Sequence, residues 1–135
     1  METDNFQYKG EKVLIRWDSK EDIFFVDLWG DHGEKDAKEF MDNFYEVVKK
    51  TPRSNPLLFI LVDVSKLGKI SHEARRVYAQ EPAKRLFQSY AAICGPNAII
   101  RLMIGFITTV LRKNVKVFAA NEDGAKWLRK MQAKK

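Results

Sequence analysis

The sequence has one cysteine and two histidines. Cys94 has no partner for an internal disulfide, which suits a reducing cytosol and a cytoplasmic protein, and excludes a stapled secreted scaffold. His32 and His72 lie far apart in the chain. No Cys or His stands at ligand spacing from either, so neither a metal nor a cofactor is expected. The polar, acidic start Met1-Glu2-Thr3-Asp4-Asn5 does not read as a signal peptide. The chain lacks internal repeats and low-complexity segments. It also lacks a legible grouping of nucleophile, base and orienting residue, so no catalytic residue and no enzyme activity are expected. Cys94 has no histidine near it in sequence and reads as a buried, inert thiol. Asp63 and Glu73 could meet as a carboxylate pair, but nothing in their spacing requires it. Gly95-Pro96-Asn97 is not a phosphate loop of a known type.

What is present is apolar. With 45% of its 135 residues hydrophobic, the chain can bury a full core as one domain over residues 1–135. The net charge of +6 is confined to one end. Residues 1–111 carry 16 basic and 16 acidic side chains, whereas residues 112–135 carry eight basic against two acidic. A basic tail can attract nucleic acid. No interleaving of aromatic and basic residues accompanies it, so a solvated C-terminal helix is the reading and no nucleic-acid partner is expected.

The octapeptide Leu57–Val64 is apolar at every position but Asp63. Such a run has both faces covered, which makes it the central strand of a sheet with helices over it. Before it, Lys12–Trp17 and Asp22–Trp29 read as a hairpin turned at Ser19-Lys20-Glu21, with Phe6 and Tyr8 extending a strand or covering an edge. Gly30-Asp31-His32-Gly33 breaks the pattern and leaves His32 in a loop. Asp31 with Glu34 resembles a capping box. A helix follows, with Ala37, Phe40, Met41, Phe44, Val47 and Val48 on one face.

After the central strand, residues 65–70 read as a loop and Ser71 as the N-cap of a second helix, with Ala74, Val77 and Tyr78 inward. Pro82 interrupts that helix and starts a short turn through Phe87. Ser89–Cys94 is a short buried strand. Residues 98–112 form a helix apolar nearly all round, too short to span a bilayer and interrupted by Arg101. Val115–Phe118 is the last strand, and Asn121 caps a final helix with Ala125, Leu128 and Met131 inward and Trp127 beside them. The order ββαβαβαβα predicts an α/β fold with one mixed sheet of about five strands, the last three parallel by right-handed crossovers.

Leu61-Val62-Asp63-Val64-Ser65, Ile70-Ser71-His72-Glu73-Ala74-Arg75, the apolar helix with Arg101 early in it, Val117-Phe118 and Ala125-Lys126-Trp127-Leu128 together carry a likeness. Over about residues 10–132 the chain resembles the STAS domain superfamily in its SpoIIAA-like branch, which is related to the CRAL-TRIO fold, and within it an uncharacterised subfamily. The resemblance implies a sheet of four or five strands and non-enzymatic regulation through a protein partner, often switched by phosphorylation of a serine at the start of the helix after the central strand. The usual Asp-Ser-Ser-Gly motif is absent. His72 stands in the serine's place, with Ser71 one residue earlier as the candidate phosphoacceptor.

In an open sheet of parallel strands, ligands favour the crevice beyond the carboxyl ends of the strands. The expected recognition edge is therefore Asp63, Ser65, Ser71, His72 and Arg75, joined by Gly95, Asn97 and Arg101. Ser71, Asn97 and Asn121 stand at helix N-termini, whose N–H groups either suit an anion or are only capped. Two function classes follow. One is a partner-binding regulatory module. The other binds a small apolar or anionic ligand, such as a lipid, between the helix 98–112 and the strand ends. Gly105 would let another backbone approach that helix, which leaves a homodimer open.

Overall fold

The computed structural model describes residues 7–53, 55–79, 89–95 and 115–134. Phe6, the side chain of Tyr78, the turn at Pro82–Phe87, Asn97, and the helix expected over 98–112 with Arg101 and Gly105 lie outside the described residues. Among the described residues six strands form one sheet: β1 (Gln7–Lys9), β2 (Val13–Asp18), β3 (Ile23–His32), β4 (Leu58–Ile70), β5 (Ser89–Cys94) and β6 (Val115–Phe118). Among the described residues three helices accompany it: α1 (Glu34–Lys50), α2 (His72–Ala79) and α3 (Asn121–Ala133). The strands lie side by side in chain order. β1 and β2 pair antiparallel, as do β2 and β3, and each later pair is parallel. The expected α/β mixed sheet is therefore present, with six strands where about five were predicted. The extra one is the short edge strand β1, which carries Tyr8.

β4 holds the middle, between β3 and β5. Its side chains alternate between two buried faces. Ile60, Val62 and Val64 join Val13, Ile15, Phe24, Val26, Ala91 and Val115 beneath α1, where Phe24 meets Phe44 edge-on at 5.6 Å. Phe59 and Leu61 join Ile23, Ala92 and Cys94 beneath Ala125 and Leu128 of α3. Burying each of the Val, Ile, Leu and Phe side chains among these stabilises the fold by about 1.5–3 kcal/mol. Gly124 lets α3 come close: a Cβ there would lie 2.6 Å from Cys94 Sγ.

The turn between β2 and β3 is shaped by two aspartates. Asp18 Oδ1 accepts the N–H groups of Lys20 and Glu21, and Asp22 takes a positive φ of 56°. Asp22 also anchors the connector between α1 and β4. Arg53 donates Nε to Asp22 Oδ1 at 2.7 Å and Nη2 to Asp22 Oδ2 at 3.0 Å, and two further bonds reach the carbonyls of Asn55 and Leu57.

Two expectations about local structure are corrected. Residues 65–70 are strand, not loop, because β3 also runs on to His32 and supplies the partner: Trp29 pairs with Lys66, Gly30 with Leu67 and His32 with Ile70. Leu67 and Ile70 are buried on the α1 and α2 side. His32 is thus a buried strand residue, 2% exposed, with Nε2 3.3 Å from the Lys12 carbonyl. Burial pushes its imidazole pKa down, against the pull of Asp36. The second correction concerns the start of α1. Its N-cap is Gly33, whose N–H is accepted by Asp36 Oδ2 at 2.9 Å. Asp31 instead accepts the Lys69 N–H across the extended strand pair at 2.8 Å.

Candidate functional site

The carboxyl ends of β5 and β6 meet the middle of β4, at Asp63–Ser65, beside the start of α3. Asp63 is the hub. Its Oδ1 accepts the Ser65 N–H at 2.9 Å and the Ser65 hydroxyl at 2.7 Å, and its Oδ2 accepts Asn121 Nδ2 at 2.9 Å. Burial pushes the Asp63 carboxyl up, but the Asn121 amide, the two donors of Ser65 and the Lys66 charge outweigh it and hold the pKa below the ordinary value. Asn121 therefore does not cap its helix. The cap position is Ala120, and the Asn121 amide ties α3 to the central strand instead.

The carboxylate that the register sets against Asp63 is Asp27, directly across on β3. Burial and then the neighbouring Asp63 charge raise the Asp27 pKa, partly offset by Arg16 and Lys66. Asp27 has no hydrogen-bond partner among the described residues. Together with Leu28, Trp29, Asp63, Ser65 and Lys66 it lines an open depression of about 430 Å³. Two carboxyls pushed in opposite directions is a pattern that acid–base chemistry uses. Here, however, Asp63 is spoken for by three hydrogen bonds, and the thiol alongside it on β5 is poorly disposed to act as a nucleophile. Cys94 is fully buried, and burial, Asp63 and Asp123 push its pKa up to about 12.

Gly95 closes this end of β5. Its φ of +155° is one that side chains rarely adopt, and a Cβ would press on Ser65 N at 3.2 Å, while its own N–H reaches the Phe118 carbonyl at 2.9 Å. Asp63, Ser65 and Gly95 thus stand together. Ser71, His72 and Arg75 stand elsewhere. Because residues 65–70 are strand, roughly 25 Å of extended chain separates Asp63 from Ser71. There Ser71 Oγ accepts the Ala74 N–H at 3.0 Å and caps α2, and His72 and Arg75 are exposed. Asp27, Trp29 and Lys66 are the members of the site that the sequence reading missed. Parallel register is set by tertiary pairing, and no local signal marks it. Trp29 is flagged only by its size at a strand end.

Beside the depression, no helix among the described residues covers the sheet. α3 packs over β4, β5 and β6. On the same face β2 and β3 present Leu14 and Phe25, both half-buried, and the exposed Arg16, whose guanidinium lies 4.7 Å from the Phe25 ring centre. Among the described residues, no three His, Cys, Asp or Glu side chains gather as a metal site would, and no helix is long and apolar enough to cross a membrane.

No model of a known protein family matches the sequence, and no curated protein matches it. Among solved structures, the chain is similar to an uncharacterized protein of the DUF3478 family with a SpoIIAA-like fold from Shewanella loihica PV-4. The two share 13% sequence identity over 90% of this chain and 97% of that one, with a TM-score of 0.62. At that identity the likeness speaks for architecture: the chain has the SpoIIAA-like fold.

Proposed function

We propose that this is a non-enzymatic regulatory module that works by binding a protein partner. Its working surface is the rim at Asp63, Ser65, Gly95 and Asn121 together with the sheet face beside it. The observation that carries the reading is the make-up of that face. Arg16 over Phe25, with Leu14, Trp29 and the Asp27–Lys66 depression alongside, combines the Arg and aromatic anchors that dominate protein interfaces with a charged border. The inert Cys94 and the fully bonded Asp63 support a binding role over a chemical one.

Ser71 is the regulatory position in this reading. A phosphate there would replace a neutral cap with a dianion at a helix N-terminus, one turn from Arg75 and Arg76.

The test is quantitative affinity purification of wild type against Arg16→Glu and Trp29→Ala, with Lys38→Glu on the exposed side of α1 as the control. A partner lost from both face variants and kept by the control bears the reading out. Identical partner sets for all four proteins refute it. Native mass spectrometry of the same samples reports whether copies of the chain pair.

A further inference from the structure

At the other end of the sheet, the connector between α1 and β4 frames a second depression of about 430 Å³. Lys49, Thr51, Arg53, Asn55, Leu58 and Ser89 line it. Its carbonyls are largely engaged. Val47 O accepts the Thr51 hydroxyl at 2.6 Å, and Val48 O accepts the Thr51 N–H at 3.2 Å. Thr51 O accepts the Arg53 N–H at 2.9 Å. Asn55 O and Leu57 O accept the Arg53 guanidinium at 2.9 and 2.5 Å.

What the depression has left is donors. Asn55 Oδ1 accepts the Leu57 N–H at 3.0 Å, which fixes the amide's orientation. Asn55 Nδ2 then has no partner among the described residues. Among the described residues Lys49 is held only by an exposed pair with Glu46 at 3.5 Å, an interaction that water and salt weaken. Most telling is Ser89. It is 1% exposed, it lines the depression, and its Oγ has no hydrogen-bond partner among the described residues. Buried hydroxyls are nearly always bonded, so this one is a donor the described residues leave open, to water or to a ligand. Val48 and Leu58 add apolar wall.

We propose that this depression binds the oxyanion group of a small molecule, a carboxylate or a phosphate, with Ser89 Oγ, Asn55 Nδ2 and Lys49 Nζ donating to it. The anion supplies acceptors where the connector supplies donors. Val48 and Leu58 pack against the ligand's apolar body. The site is separate from the Asp63 rim and does not depend on the partner-binding reading.

The test is an amide-resolved NMR titration of the full chain with sodium phosphate and, separately, with sodium butyrate, at ionic strength held constant with sodium chloride. The phosphate arm reads a phosphoryl ligand and the butyrate arm a carboxylate with an alkyl tail. We expect saturable shifts at residues 48–58 and at Ser89 with at least one of the two anions. We expect Ser89→Ala and Lys49→Ala each to raise its Kd by at least about fivefold. Lys49 is exposed, so its variant reads the site even if Ser89→Ala fails to fold. Absence of saturable shifts there with both anions, or an unchanged Kd in the variants, overturns the proposal.

Discussion

Replacing Arg53 with methionine should cost this protein about 3 kcal/mol, and the figure follows from the contacts. The Arg53 side chain is 6% exposed and donates twice to Asp22 and once each to the carbonyls of Asn55 and Leu57. Methionine keeps an apolar stem near the Phe24 ring, over which the guanidinium lies 5.6 Å away. It removes every donor. Breaking a buried pair costs about 3–5 kcal/mol, mostly from the charge left behind. Asp22 is 30% exposed and keeps a bond from Trp17 Nε1 at 3.0 Å, which places the cost at the lower end. For a domain of this size, that is a fall in Tm of about 10 °C. Urea unfolding followed by tryptophan fluorescence measures it, with Trp17 beside the lesion. The double variant Arg53→Met, Asp22→Asn should recover about 1–2 kcal/mol of the summed single losses, because it leaves no orphaned charge. A loss below about 1 kcal/mol in Arg53→Met, or single losses that simply add, would refute the view that this pair holds the connector in place.

Other outcomes follow from the same geometry. Gly124→Ala crowds Cys94 Sγ at 2.6 Å, and overpacking of about 1–3 kcal/mol outweighs the gain of about 1 kcal/mol in helix propensity. Adding Gly124→Ala to a Cys94→Ala background should therefore cost much less, which urea melts of the four proteins measure. The folded-state pKa of His32 lies below the unfolded value, so the unfolded chain takes up the proton first. Stability should hold above pH 6.5 and decline as pH falls from there to the folded pKa. In His32→Gln that step should be missing from the pH profile. Asp27 has a raised pKa, so its ionised form opposes folding. Asp27→Asn should raise stability at pH 7 by a few tenths of a kcal/mol after solvent screening, and the gain should vanish near pH 3, where the wild-type carboxyl is protonated in both states. Finally, a thiol reagent at pH 8 should leave native Cys94 unmodified and label it at the rate of global unfolding, since its pKa stands at about 12.

The parts of the fold legible in the sequence are those where one local signal settles the matter. The run Leu57–Val64 announces a strand covered on both faces. Ala37, Phe40, Met41, Phe44 and Val47 mark the buried stripe of α1, and all five are buried. The continuation of β4 is different. Ser65-Lys66-Leu67-Gly68-Lys69-Ile70 looks like a loop because its polar and glycine content is high, and only the pairing with residues 29–32 makes it strand. Capping went astray for a related reason. Asp31 and Asn121 are good cap residues by type, but each is drawn into a long-range bond, to Lys69 and to Asp63. Of the site, Asp63, Ser65 and Gly95 could be placed from topology. Its facing carboxylate, Asp27, could not, because a parallel register depends on both strands at once.

That the six strands lie in the sheet in the order of their synthesis has a consequence for how the protein is made. Each new strand finds its neighbour already in place, and no gap has to be held open for a later arrival. The sheet can grow from one edge as the chain emerges from the ribosome, with low loss of chain entropy at each addition. The face that carries Phe59, Leu61 and Cys94 is the exception. It stays wet until residues 121–133 emerge, so the nascent chain is prone to aggregate just before α3 docks.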